Sequence, residues 1–186
     1  PEGTQFQMCA KALADRLGLP FHSVGALTAS KVPDAQAGYE SQAQLMGAAL
    51  AGVNFIIHAT GCLEGLLTTG YEKIVMDADR CAAMQRFVGG VDFSEAAQAM
   101  EAFHEVEPGG HFLGAQHTQE NFETAFWMGD MSDNGTYEQW AAEGSDWQHQ
   151  RASKRVKSLL EQYEPPAMED SIRDALDDYV ARRSRE

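Results

Sequence analysis

Between Arg86 and Arg151 the sequence contains no lysine and no arginine. Over the whole chain 14 basic side chains stand against 28 acidic ones, a formal net charge of −14. A protein that tracks phosphates needs a basic stripe, so nucleic-acid binding is excluded. No apolar run approaches the roughly 18 residues that cross a bilayer, since the most hydrophobic stretch, Leu45 to Ala59, is interrupted by Asn54 and His58. Membrane insertion is therefore not expected. Cysteines are few: Cys9, Cys62 and Cys81 have no metal-like spacing and read as reduced, packing thiols in a cytoplasmic compartment. There is no Gly-x-Ser-x-Gly elbow, no Walker loop and no GxGxxG, which removes the usual hydrolase, NTPase and dinucleotide readings. Met does not open the chain, and Pro1 is followed by neither a basic nor an apolar signal region, so the N-terminus reads as cut from a larger chain.

What fills the stretch without cations is informative. Residues 87–150 hold twelve Asp or Glu and ten of the seventeen aromatics. A quaternary ammonium has no proton to donate, so a protein holds it by ring faces, at about 0.5–2 kcal/mol each, and by nearby carboxylates. Acid with aromatic is that environment. The blander reading is that most of these acids are solvated helix faces and most of the rings are core.

At 186 residues the length fits one domain or a domain with an appendage. Residues 4–18 place Phe6, Met8, Cys9, Leu13 and Leu17 at helical spacing, with Gly18 as C-cap and Pro20 as stop. Phe21 to Leu27 reads as a buried strand. Ala35 to Gly52 reads as a helix with Tyr39, Leu45, Met46, Ala49 and Leu50 inward, and Val53 to Ala59 as a second buried strand. Strand, helix and strand in that span predict a parallel βαβ unit. A helix follows over Tyr71 to Val88 with Ile74, Val75, Ala78, Cys81, Ala82, Met84 and Phe87 inward, and it ends at Gly89-Gly90. Asp92 or Ser94 caps another helix with Phe93, Ala97, Met100 and His104 on one stripe. His111 to Gly144 reads as a functional loop region with short helices. Residues 145–163 form a helix ended by Pro165-Pro166, and a last helix carries Ser171, Ile172, Leu176, Tyr179 and Val180 as a narrow seam. The expected organisation is βα units over 1–90, an aromatic and acidic loop segment over 91–150 and outer helices over 151–186. Two strands make a poor sheet by themselves, so the expectation is the C-terminal part of a barrel or open α/β sheet whose other strands lie upstream or on a partner.

Functional groups of α/β folds gather at strand C-termini, here Gly25 to Thr28 and His58 to Glu64. His58, inside an apolar strand, is expected to find a buried partner or to orient a substrate. Glu64, flanked by Gly61 and Gly65, can approach a ligand closely or cap the next helix. His111 and His117 bracket a polar loop before Phe122, Phe126 and Trp127. Their spacing matches no zinc motif, and a metal enzyme using His58, His111 and His117 stands only as a competing reading.

The blocks Ser30-Lys-Val-Pro-Asp-Ala-Gln-Ala-Gly-Tyr-Glu40, Ala48-Ala-Leu-Ala-Gly-Val-Asn54 with the strand to His58, Leu63-Glu-Gly65, Tyr71-Glu-Lys73, Pro108-Gly-Gly-His-Phe-Leu-Gly114 with His117-Thr118, Tyr137-Glu-Gln-Trp140 and Tyr163-Glu-Pro-Pro166 resemble the C-terminal part of the trimethylamine methyltransferase family. The resemblance implies an α/β chain that is the C-terminal portion of a TIM (β/α)8 barrel, helix-rich, with extra C-terminal helices. It also implies methyl transfer from a methylated amine to the cobalt of a separate corrinoid protein. No cofactor would be bound by this chain itself, and a homo-oligomer is expected. Archaeal trimethylamine enzymes of the family carry pyrrolysine at the strand end before the Ser-Lys-x-Pro-Asp block, and the corresponding residue here is Leu27. That departure implies the non-pyrrolysine branch, which resembles glycine betaine methyltransferases. The resemblance places these blocks near the site without assigning duties; from the residues themselves, His58 and Glu64 are expected to hold the substrate, with Tyr71, Phe112 and Trp127 as ring faces and His111, His117 and Leu27 beside it. A catalytically inactive barrel fragment or small-molecule binding module is the alternative.

Overall fold

Glu2–Arg16 carries a single β-branched residue and no proline, and it forms α1. The helix is closed by Leu17 and by Gly18 in the left-handed region at φ 67. The computed structural model describes residues 1–185 in two units, Pro1–Val156 and the residues from Lys157 onward. After α1 come β1 (His22–Val24), α2 (Ala35–Leu50) and β2 (Phe55–Ile57). β1 and β2 pair in parallel, with His22 opposite Phe55 and Val24 opposite Ile57, so the βαβ unit is present. Both strands are shorter than their apolar runs. Then come β3 (Cys62–Leu63) and β4 (Thr68–Thr69), an antiparallel hairpin that hydropathy does not reveal. α3 (Tyr71–Val88) follows, with the bounds its periodicity predicts.

The expected stripe after Gly90 is broken into α4 (Glu95–Gln98) and α5 (Met100–Glu105) because Ala99 turns left-handed at φ 53. Ser94 caps α4, accepting from the Ala97 amide at 3.2 Å. Phe93, Met100 and His104 are exposed, and Ala102 is the buried residue of that segment. The remaining elements are α6 (Gln116–Asn121), α7 (Tyr137–Ala142), α8 (Gln148–Glu161) and α9 (Asp170–Arg183). The chain is helix-rich with few strands. No helix among the described residues is long and apolar enough to cross a membrane. In the second unit α9 begins at Asp170, whose carboxylate takes Arg173 at 3.4 Å, and Arg182 lies 6.0 Å from the Tyr179 ring centre.

The helix faces overturn the inward stripes read from the sequence. On α1 the buried residues are Gln7, Lys11 and Ala14, while Phe6, Met8, Leu13 and Leu17 are exposed, as is Cys9. The reason is contact with α2 and β1. Gln7 donates to the Val24 carbonyl at 2.9 Å, and Lys11 pairs with Asp15. On α2 Leu45 is buried as expected, but its companions are Ala37, Ser41, Gly47 and Ala48, and Tyr39 is 77% exposed. α1 and α2 approach closely at Gly47, where an added Cβ would lie 2.2 Å from Thr4 Cγ2 and would require that side chain to move. On α3 the buried residues are Lys73, Asp77 and Met84. The core of the first unit is therefore built largely of small residues, with Leu45, Leu63, Met84 and Met131 as its large members, and large apolar side chains line its outside in unusual number.

Candidate functional site at the strand ends

The parallel ladder runs past the strands. Gly25 donates to the Ile57 carbonyl at 3.0 Å and Ala26 to the His58 carbonyl at 2.9 Å. Chain approach there is tight, since a Cβ on Gly25 would sit 2.8 Å from Ile56 Cγ2 and 3.0 Å from Ala59 Cα. Beyond it, His58, Gly61, Glu64, Gly65 and Leu66 all lie at positive φ. Three of these have side chains, and left-handed backbone at such residues is tolerated only where the surroundings hold it. The holding contacts are visible: Glu64 donates to the Ser30 carbonyl and Gly65 to the Thr28 carbonyl, both at 2.8 Å, and Gly70 donates to Gly61 at 3.1 Å. The segments after β1 and β2 are thus stitched together. Leu27, His58 and Glu64 come to one end of the sheet.

His58 and Glu64 are exposed, and neither side chain makes a hydrogen bond among the described residues. The expectation of a buried histidine is corrected on physical grounds: β2 ends at Ile57, and the turn at φ 49 carries the imidazole out of the sheet. Leu27 is half-buried, its carbonyl accepting from Gln44 at 2.8 Å.

Beneath these ends lies a buried polar network absent from the sequence reading. Lys73, 2% exposed, donates to the Asp77 carboxylate at 2.6 Å and to the Ser41 hydroxyl at 2.8 Å. The same Asp77 oxygen accepts the Gly61 amide at 2.9 Å, and the Ser41 hydroxyl donates to the Ala26 carbonyl at 3.3 Å. One chain of contacts therefore reaches from α3 to the ends of both strands. Burial pushes the Asp77 carboxyl above its ordinary range, and the Lys73 ammonium and the Gly61 amide oppose that push. A Lys and an Asp four apart are visible in any sequence, but only the packing of α2 on α3 makes this pair interior. A cavity of about 270 Å³, lined by Ser41, Leu45, Lys73 and Asp77, adjoins it. Cys62 and Cys81 approach the carbonyls of Thr60 and Ala59 at 3.6 Å, and burial raises both thiols.

The segment after β1 is anchored by two carboxylates. Glu40 accepts the Thr28 hydroxyl at 2.7 Å and the Ala29 amide at 2.8 Å, in that order of influence, and is held below the usual carboxylate range. Asp34 caps α2 through the Ala37 amide at 3.0 Å, takes the Ser30 hydroxyl at 2.9 Å, and is lowered likewise. A carboxyl whose folded-state pKa is depressed contributes stability that is present above its unfolded value and lost as pH falls through the folded one. Acidification below about pH 4 is therefore expected to release residues 28–34 first. Hydrogen-exchange protection at Ala29 and Ala37 should fall ahead of that at Ile57, and Glu40→Gln should remove the Glu40 share. Loss of all three together would show that the anchors lie elsewhere.

The other predicted residues have separate settings. Tyr71 opens α3 and is 66% exposed. His111 precedes the turn Phe112–Gly114, and Phe112 meets Phe103 edge-on at 5.3 Å. His117 has its Nε2 2.8 Å from the Ala96 carbonyl. Trp127 lies beside Gly129, whose place against the Asp79 carboxylate leaves no room for a Cβ. No ring contact joins Tyr71, Phe112 and Trp127 among the described residues. Nor is any group of three or more His, Cys, Asp or Glu placed there to hold a metal ion, so His58, His111 and His117 do not converge as a ligand set.

Aromatics do gather elsewhere. Thr136 and Gln139 form a reciprocal cap that starts α7. Tyr137 and Trp140 then stand 5.8 Å apart with planes at 45°, and Trp147 completes a cleft of about 490 Å³ with Asp133, Asp146 and Arg151. The signal that finds this cleft is the density of rings and acids between Arg86 and Arg151, not any spacing.

Comparison with known proteins matches residues 1–186 to the family model described as Trimethylamine methyltransferase (MTTB). A glycine betaine methyltransferase of Desulfitobacterium hafniense (strain Y51) is 38% identical over 186 residues, 100% of this chain and 39% of that protein. The trimethylamine methyltransferase MttB of D. hafniense (strain DSM 10664 / DCB-2) is 31% identical over 160 residues, 86% of this chain and 32% of that protein. The corresponding enzyme of Methanosarcina thermophila is 29% identical over 164 residues, 88% of this chain and 34% of that protein. The chain thus spans about two fifths or less of the length of these curated relatives.

Proposed function

The chain belongs to the trimethylamine methyltransferase family, and on that premise we propose that it serves in moving a methyl group from a quaternary amine of the glycine-betaine type to the cobalt of a separate corrinoid protein. The observation that carries the quaternary-amine reading is Leu27, three residues past the end of β1. An aliphatic side chain offers no electrophile to a free amine. A quaternary nitrogen needs none, because its leaving group is already a neutral tertiary amine. The 38% identity to a glycine betaine methyltransferase along all 186 residues supports the same choice.

The corrinoid belongs to the partner and enters as second substrate, its low-valent cobalt supplying the nucleophile for in-line displacement. This chain's work is to bind, orient and exclude water. In this reading His58 and Glu64, held in left-handed backbone, present imidazole and carboxylate to the cation. Tyr71, which opens α3 directly after the β3–β4 hairpin, is the proposed ring face. Phe112, Trp127, His111 and His117 are proposed to line the approach. β1 and β2 are proposed to be adjacent staves of a (β/α)8 barrel. The support is their parallel pairing, their unpaired outer edges among the described residues, the exposed Phe55 on β2 and the exposed Phe6 near β1. A homo-oligomer in the cytoplasm, where free thiols stay reduced, completes the proposal.

The test is methyl transfer to a reduced corrinoid protein, followed by the absorbance of the methylated cobalt. Glycine betaine is expected to turn over and trimethylamine is not. Equal turnover of trimethylamine overturns the quaternary reading, and transfer from neither overturns the methyltransferase reading.

A further inference from the structure

We infer that the cleft between α7 and the start of α8 binds a quaternary ammonium carboxylate. The methylated nitrogen would lie against Tyr137, Trp140 and Trp147, with the carboxylate turned toward Arg151. The choice of ligand rests on the function proposed above. The cleft's own chemistry points the same way.

Three large rings face one depression of about 490 Å³, inside the range of roughly 300–1,000 Å³ usual for small-molecule sites. Tyr137 is 73% and Trp147 68% exposed, so neither ring owes its position to a packed core. The 45° tilt of Tyr137 against Trp140 leaves an angle between the rings rather than a stack, the shape that admits a methylated cation. Trp140 is fixed there by its indole N–H, which donates to the Asp146 carbonyl at 3.0 Å.

Charge separates the possible ligands. Asp146 is already paired with Lys154. Arg151 donates to the Asp146 and Met131 carbonyls at 2.6 and 3.0 Å, but its nearest carboxylate, Asp133, stands at 3.9 Å, and its Nε has no partner. A guanidinium so weakly neutralised favours an added carboxylate. Asp133, Asp146 and Arg151 line the cleft, and Lys154, outside the lining, already neutralises Asp146, so little net charge is left at the rim and a lone cation or a lone anion gains little. A zwitterion meets the rings and the guanidinium together.

The experiment titrates the chain with glycine betaine, with tetramethylammonium, and with 3,3-dimethylbutanoate, which keeps the shape and the carboxylate but replaces the charged nitrogen by carbon. Calorimetry and tryptophan fluorescence read the binding. Glycine betaine should bind at least fivefold more tightly than either analogue, and Trp147→Leu should weaken it by about threefold to thirtyfold, the range for one cation–π face, without changing dimethylbutanoate binding. Trp147→Leu leaves no hole in a core, so a folded variant is expected. Equal binding of betaine and dimethylbutanoate, undiminished betaine binding to Trp147→Leu, or no binding of any of the three overturns the inference. Betaine binding without methyl transfer would overturn the proposed function and leave this site standing. Transfer with betaine binding indifferent to Trp147 would do the reverse.

Discussion

Asp77→Ala is expected to destabilise the first unit by about 3–5 kcal/mol, the range seen when one partner of a buried ion pair is removed. The substitution strands the Lys73 ammonium, 2% exposed, with only the Ser41 hydroxyl as acceptor. It also leaves the buried Gly61 amide without its carboxylate. Both penalties have one sign. The check is urea denaturation, in which the midpoint should fall with little change in slope. The double variant Lys73→Met with Asp77→Leu removes both charges, and such replacements are often neutral or stabilising. It should recover most of the loss. A double variant as unstable as Asp77→Ala would mean that the Gly61 amide, rather than the stranded charge, sets the cost.

The second large effect is expected at Gly61→Ala, about 2–5 kcal/mol. A left-handed residue with a Cβ costs about 1–2 kcal/mol, and overpacking adds about 1–3 kcal/mol. The geometry calls on both: Gly61 lies at φ 81, and an added Cβ would sit 2.5 Å from Ile74 Cγ1 and 3.1 Å from Thr69 Cγ2. The Ile74 side chain is flexible, so the two contributions can be separated. Ile74→Ala, which removes the Cγ1 that the new Cβ would meet, should return the overpacking part in the Gly61→Ala background and keep the backbone part. If it returns nothing, the φ requirement alone accounts for the loss. Both substitutions act on the turn between His58 and Glu64, so methyl transfer should suffer with stability, whereas betaine binding at the Trp147 cleft should not.

Much of the local architecture was legible. α3 has the predicted bounds Tyr71–Val88, α1 closes at Gly18, and α2 starts after Asp34. Capping, helix periodicity and the φ limits of Gly and Pro act within about four residues, so the sequence shows them directly. The parallel βαβ unit followed from the same signals, and so did the location of Leu27, His58 and Glu64 near strand ends. The family membership was legible too, since ordered blocks along 186 residues do not depend on side-chain packing.

The inward faces were not legible. A stripe of Phe6, Leu13 and Leu17 is apolar whatever covers it, and periodicity names no partner. In this fold α1 meets α2 through Gln7, Lys11 and Gly47, so the stripe points away. Burial is one of two readings of His58 because it follows three apolar residues, yet at φ 49 its carbonyl stays in the ladder while its side chain is exposed. Trp140 and Trp147 are seven residues apart and line one cleft only because the chain turns between α7 and α8. Local chemistry determines where each helix begins and ends and which family the chain joins. Whether Lys73 becomes an interior charge or a solvated one is decided only when α2 and α3 pack, because desolvation belongs to the assembled neighbourhood and not to any residue within it.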